Sequence, residues 1–125
     1  MSDYLWDSYA IIALLDGAPS YSELRQAHIV TTPFAIIEAC YILQRDLGYA
    51  PAESDELASN LLEYCRPIDA RLLSIAATWR LKNCSRRRSF SYADAYGYVM
   101  ALHLGLPFLT GDRAFEGLPG VELRR

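Results

Sequence analysis

The sequence predicts an α/β fold, a short parallel sheet held between layers of helices. Two observations carry this. Short apolar runs at Tyr4–Trp6, Ile29–Thr31, Pro107–Thr110 and Val121–Leu123 have the length of buried strands. Between them lie longer segments with helical periodicity and recognisable start and stop signals. Strands that alternate with helices in this way favour parallel pairing with helical cover on both faces.

The first run ends in Asp7, at the carboxyl end of a buried strand. Ser8 can cap a helix over Tyr9–Leu15, which Asp16-Gly17 closes; that turn accounts for Asp16. Ser20-x-x-Glu23 reads as a capping box opening a second helix to about Ala27. Thr32-Pro33 is a cap followed by proline at the first helical position, and the helix it starts runs to about Leu47 before Gly48. Pro51–Tyr64 is amphipathic, with Leu57, Leu61 and Tyr64 on one stripe. Arg66–Ile68 is a short strand or a connector. Asp69 caps a helix to about Asn83, with Leu72, Ile75, Ala76 and Trp79 facing inward. Ser91 caps the helix that follows, with Asp94 in its first turn. Ala93, Tyr96, Met100 and Leu104 form its apolar stripe, and Gly105 stops it. Gly111-Asp112 then turns the chain after the strand at Pro107–Thr110.

At 125 residues and 14.1 kDa the chain suits a single domain, residues 1–125, large enough for a real core. With 52% apolar and 22% charged residues it has a globular composition. A net charge of −3 rules out a surface basic throughout, so any nucleic-acid contact must be local. No apolar run is long enough to span a bilayer, and no signal peptide is visible. Cys40, Cys65 and Cys84 are odd in number and widely spaced, which suits reduced thiols in a cytoplasmic protein and not a zinc site.

Four carboxylates stand out. Asp7 and Asp112 follow apolar strands, and parallel topology gathers strand ends at the edge where ligands bind. Glu38 interrupts the apolar run AIIEACYIL, with Phe34, Ala35, Tyr41 and Ile42 as its helical neighbours and no base among them. A carboxylate in such surroundings needs water or a cation. Asp94 occupies a helix's first turn. Each has a structural explanation as well: a dipole contact for Asp94, a turn for Asp112, a helix cap for Asp7 and a solvated position for Glu38. Together they form a candidate site. Crowded carboxylates are reconciled by a hard divalent cation with oxygen ligands, Mg²⁺ or Mn²⁺. Such an ion lowers the pKa of a bound water and neutralises charge on a phosphate, the arrangement for cutting phosphodiesters. No G-x-x-x-x-G-K-[ST] or G-x-S-x-G segment offers another chemistry.

YLWDSYAIIALL, TPFAIIEACYIL and YADAYGYVMALHLGLPFLTGDRAF, with PGVEL behind, resemble the PIN-domain ribonucleases, and among them the small VapC-like toxins of toxin–antitoxin pairs. The resemblance covers nearly the whole chain. It implies a PIN-like three-layer sandwich with a parallel sheet of about five strands. It also implies a Mg²⁺- or Mn²⁺-dependent endoribonuclease that hydrolyses RNA with a metal-bound water. Its acids fall on Asp7, Glu38, Asp94 and Asp112, as catalytic and metal-binding residues, and its supporting hydroxyls on Ser8 and Thr110. A further acid found in some members falls on Phe115. A cognate antitoxin and a homodimer are also implied, in the cytoplasm.

Arg86, Arg87 and Arg88 precede the Asp94 helix and could clamp an RNA backbone, or form a solvated loop at a helix C-terminus. Tyr9, next to the first acid, is the tyrosine best placed to meet substrate. Two readings within the family stand beside the toxin: a housekeeping RNA-processing nuclease without antitoxin, and a non-catalytic RNA- or protein-binding module. A receiver-like phosphoacceptor would want adjacent acids after the first strand and a lysine near the last. Here Ser8 follows Asp7, and the one lysine is Lys82.

Overall fold

The computed structural model describes residues 3–26 and 28–125. Four strands form one parallel sheet: β1 (Asp3–Trp6), β2 (His28–Val30), β3 (Phe108–Thr110) and β4 (Val121–Leu123), in the order β2-β1-β3-β4. Leu5 sits opposite Val30 on one side and Phe108 on the other. The fifth strand expected is reduced to a single bridge, Thr31 with Cys65, so Arg66–Ile68 is a connector.

Among the described residues five α-helices flank the sheet: α1 (Ser8–Leu15), α2 (Pro33–Leu47), α3 (Pro51–Leu62), α4 (Ala70–Asn83) and α5 (Tyr92–Leu104). Side chains alternate across the strands, as a period of two demands. Leu5 and Phe108 enter a core with α4 and α5, built around Phe90, Tyr98 and Phe115. Trp6 and Leu109 enter a second core with α1, α2 and α3, built around Ala10, Ile36 and Leu61. The result is three layers, helices–sheet–helices.

Several local expectations change. Pro19–Gln26 is a 3-10 helix and not an α-helix; the Ser20 hydroxyl is buried without a hydrogen-bond partner, so no capping box forms there. The expected end of that element at Ala27 lies outside the described residues. Asp7, not Ser8, caps α1. Ile75 is 51% exposed, because the inward stripe of α4 narrows to Leu72, Ala76 and Trp79. In α5 burial is continuous over residues 95–101, wider than the single stripe read from spacing. The helix packs on the sheet, on α4 and on α2 at once. Gly97 permits the close approach: a Cβ there would stand 3.2 Å from the Phe108 ring.

The order β2-β1-β3-β4 has a consequence for function. After β1 the chain crosses to one side of it, and after β2 it returns to the other. β1 and β3 therefore flank a topological switch point, where a crevice opens beyond their carboxyl ends. Asp7 and Asp112 stand at that crevice.

Candidate active site

Asp7, Glu38, Asp94 and Asp112 line one cleft of about 780 Å³. They arrive from four elements. Asp7 follows β1, Glu38 lies in the second turn of α2, Asp94 in the first turn of α5, and Asp112 just past β3.

The three aspartates are held by the backbone. Asp7 accepts a hydrogen bond from the Ala10 N–H at 2.9 Å and caps α1. Asp94 accepts from the Ser91 N–H at 2.9 Å, while Ser91 Oγ accepts from the Asp94 N–H at 3.0 Å, a reciprocal capping box. Asp112 accepts from the Ala114 N–H at 2.9 Å, capping the 3-10 turn Arg113–Phe115. Capping and site roles thus coexist: one carboxylate oxygen fixes the group to the backbone, and the carboxylate has a second. Glu38 is held by a side chain, since Ser8 Oγ donates to its Oε1 at 3.0 Å. Thr110 supports two acids. Its Oγ1 accepts from the Asp112 N–H at 3.0 Å, and its side chain lowers the pKa of Asp7 against the effect of burial. Ser8 and Thr110, expected as supporting residues, thus contact Glu38 and the backbone of Asp112.

The electrostatics are repulsive. Asp7 is 5% exposed, and burial raises its carboxyl from 3.8 to about 8 against the hydrogen bonds from Thr110 and Ala10, with Asp94 and Asp112 adding to the rise. Burial likewise raises Asp94 to about 6, with Glu38 and Asp112 adding, against hydrogen bonds with Ser91. Among the described residues, none of the four acids forms an ion pair with a basic side chain.

This donor set fits a hard divalent cation. It offers carboxylate oxygens only, its members raise one another's pKa, and none is ion-paired to a basic side chain among the described residues. Among the described residues, no three His, Cys, Asp or Glu side chains are close enough together, as placed, to hold a metal ion; the acids ring an open cleft and would have to draw inward around one. The position of the possible fifth acid is settled, since Phe115 is fully buried in the aromatic core.

The family model of the PIN domain matches residues 4–121. The chain belongs to the PIN domain family. Solved structures of similar fold include VapC20 of Mycobacterium tuberculosis, described as a toxin that cleaves the sarcin–ricin loop. It has a TM-score of 0.74 at 18% identity, covering 99% of this chain and 100% of that one. A toxin–antitoxin complex from Klebsiella pneumoniae has a TM-score of 0.68 at 16% identity, covering 95% of both chains. FitAcB from Neisseria gonorrhoeae has a TM-score of 0.58 at 16% identity, covering 97% of this chain and 96% of that one. No curated protein matches the sequence significantly.

In this PIN domain the cleft also gathers residues that sequence reasoning passed over: Tyr41 and Arg45 from α2, Arg113, Arg125 and Asp16. Arg45 lies seven residues after Glu38, two helical turns along the same face. A search confined to one turn misses it, whereas the spacing 38, 41, 45 is the signal that finds it. Arg86, Arg87 and Arg88 do not line the cleft. Arg88 donates to the Glu116 carbonyl, and Arg86 and Arg87 are exposed.

Tyr9 lines the cleft beside Asp7, 37% exposed. Its ring lies against Gly111, which has no positive φ and so is not a conformational glycine. Gly111 serves close approach: a Cβ there would collide with the Tyr9 ring and with the Arg124 carbonyl oxygen. Gly111→Ala should therefore lower stability by about 1–3 kcal/mol, the usual cost of overpacking. Urea unfolding measures it. The double variant Tyr9→Ala/Gly111→Ala should lose less than the sum of the single losses, because one removes part of the obstacle to the other.

Proposed function

We propose that this PIN domain is a Mg²⁺- or Mn²⁺-dependent endoribonuclease acting in the cytoplasm, and that it is the toxin of a toxin–antitoxin pair. The observation that carries the reading is the convergence of four carboxylates, none ion-paired to a basic side chain among the described residues, on one open cleft at the switch point of the sheet. Asp7, Glu38, Asp94 and Asp112 would hold the cation, whose chemistry when bound would be to acidify a water and to offset charge on the phosphate. Ser8 keeps Glu38 turned into the cleft, and Thr110 holds the backbone of Asp112.

The fold likeness to VapC20, a toxin described as cleaving the sarcin–ricin loop, supports RNA as the substrate class. The likeness to the Klebsiella toxin–antitoxin complex supports an antitoxin partner. Exposed Leu62, Ile68, Ile75 and Leu81 offer apolar surface for such a partner or for a homodimer. Among the described residues no helix is long and apolar enough to cross a membrane. Arg86 and Arg87 are kept as outer phosphate contacts for an RNA longer than the cleft.

The reading is tested by incubating RNA with the purified chain. Cleavage should require Mg²⁺ or Mn²⁺, stop with EDTA, and leave 5′-phosphate and 3′-hydroxyl ends, because water attacks the phosphorus. Ends carrying 2′,3′-cyclic phosphate would mean that the RNA's own 2′-hydroxyl attacks, and the reading would fail. Growth arrest on expression, relieved by coexpressing the neighbouring gene, separates a toxin from a housekeeping nuclease.

A further inference from the structure

The cleft does not end at the acids. It follows the seam between α1 and α2, with Tyr9 and Ile12 on one wall and Tyr41, Ile42 and Arg45 on the other. Arg45 stands about 10 Å beyond Glu38 along α2. Over that distance the walls change from acidic to apolar and aromatic, and they end in a cation.

That cation is held in place. The Arg45 guanidinium carbon lies 4.9 Å from the centroid of the Tyr41 ring, a cation–π contact. Its Nε and Nη2 donate to the two carboxylate oxygens of Asp46 at 2.7 and 2.8 Å. Tyr41 itself is 59% exposed, so much of its ring is open. At the acidic end, Tyr9 is fixed against the backbone of Gly111.

An RNA entering this cleft meets five carboxylates, Asp7, Asp16, Glu38, Asp94 and Asp112, against the three arginines Arg45, Arg113 and Arg125, on a chain of net charge −3. Its phosphates are repelled, and the arginine loop lies off the cleft. Base stacking on an aromatic ring carries no such penalty, because every base presents a neutral π-face. The groove thus supplies what the acids lack, an uncharged surface for a base and one cation for a phosphate.

We propose that the α1–α2 groove is a substrate subsite for the nucleotide adjoining the cleaved phosphate, with its base stacked on Tyr41 and its phosphate held by Arg45. The proposal rests on the ribonuclease reading above and adds a requirement to it. The flanking base must be unpaired, so the substrate is a single-stranded or looped segment.

The test uses the whole chain in EDTA, where nothing is cleaved, and two labelled probes. One is a single-stranded uridine decamer; the other is the same ribose-phosphate backbone without bases. Tyr41→Ala should weaken binding of the uridine decamer about tenfold or more and the base-free decamer several-fold less, by no more than the loosened hold on Arg45 costs. Tyr41→Phe should bind like the parent. Arg45→Gln should weaken both probes and reduce the log–log salt slope by up to about 0.7. Equal effects of Tyr41→Ala on both probes, or none on either, would overturn the subsite. In Mg²⁺, if the parent cleaves RNA and Tyr41→Ala cleaves with the same KM, the subsite fails and the ribonuclease reading stands. If the parent neither binds nor cleaves RNA, the ribonuclease reading fails and the subsite with it. If Tyr41→Ala keeps RNA binding but no longer copurifies with a protein partner, the groove belongs to that partner.

Discussion

Asp94→Asn is expected to lower RNA cleavage about a thousandfold or more while leaving the fold intact. The magnitude follows from the proposed role: a carboxylate that helps hold the cation would contribute several kcal/mol to the transition state, and each 1.4 kcal/mol is about tenfold. The substitution is well suited to the question, because asparagine keeps an acceptor for the Ser91 N–H and so preserves the capping box of α5. Single-turnover cleavage of one RNA by parent and variant, beside their circular dichroism, measures it. A variant that folds and cleaves within about threefold of the parent would leave Asp94 with its capping role alone.

The second large effect is on the stability of the metal-free protein and its pH dependence. Asp7 titrates at about 8 in the folded chain against 3.8 ordinarily, and Asp94 at about 6. Between pH 4 and 8 the folded state therefore holds protons that the unfolded state has released, so stability falls as pH rises through that window and levels off above it. Each fully titrating carboxyl contributes up to about 1.4 kcal/mol per pH unit. In EDTA the melting temperature should drop by several degrees between pH 5 and 8. Asp7→Asn should remove most of the drop and raise the melting temperature at pH 8, since the amide keeps an acceptor for Ala10 without the buried charge. Millimolar Mg²⁺ should restore the parent and do little for the variant, because a ligand stabilises only the state that binds it. A flat profile in EDTA would mean that the carboxyls ionise freely in the fold. Stability and function oppose one another at this site, as expected where catalysis needs charges the fold would otherwise avoid.

The four acids were legible from sequence because each sits at a position with its own signal: two beyond buried strands, one breaking an apolar helical run, one in a capping box. The layers were legible too, since strand alternation and helix caps are local. Most of what escaped was set by tertiary contact. The burial of Ile75 depends on the angle at which α4 meets α5, which periodicity does not encode. The fifth strand shrank to one bridge because Arg66 to Ile68 find no further partner beside β2. Gly111 read as a turn residue, although its smallness serves the Tyr9 ring, a neighbour distant in sequence. Arg45 escaped for a local reason: it lies two turns beyond Glu38 on the same face of α2, outside a search of one turn, while the opposite wall of the groove comes from packing α1 against α2.

Binding of Mn²⁺, followed by loss of the free-ion paramagnetic resonance signal, tests most directly whether the four acids work together as a cation site. The parent should bind Mn²⁺, and Asp7→Asn, Asp94→Asn and Asp112→Asn should each weaken binding at least tenfold, whereas alanine at Arg86 and Arg87 should change nothing. Unaltered Mn²⁺ affinity in all three asparagine variants would contradict the account and leave the aspartates as caps and turns.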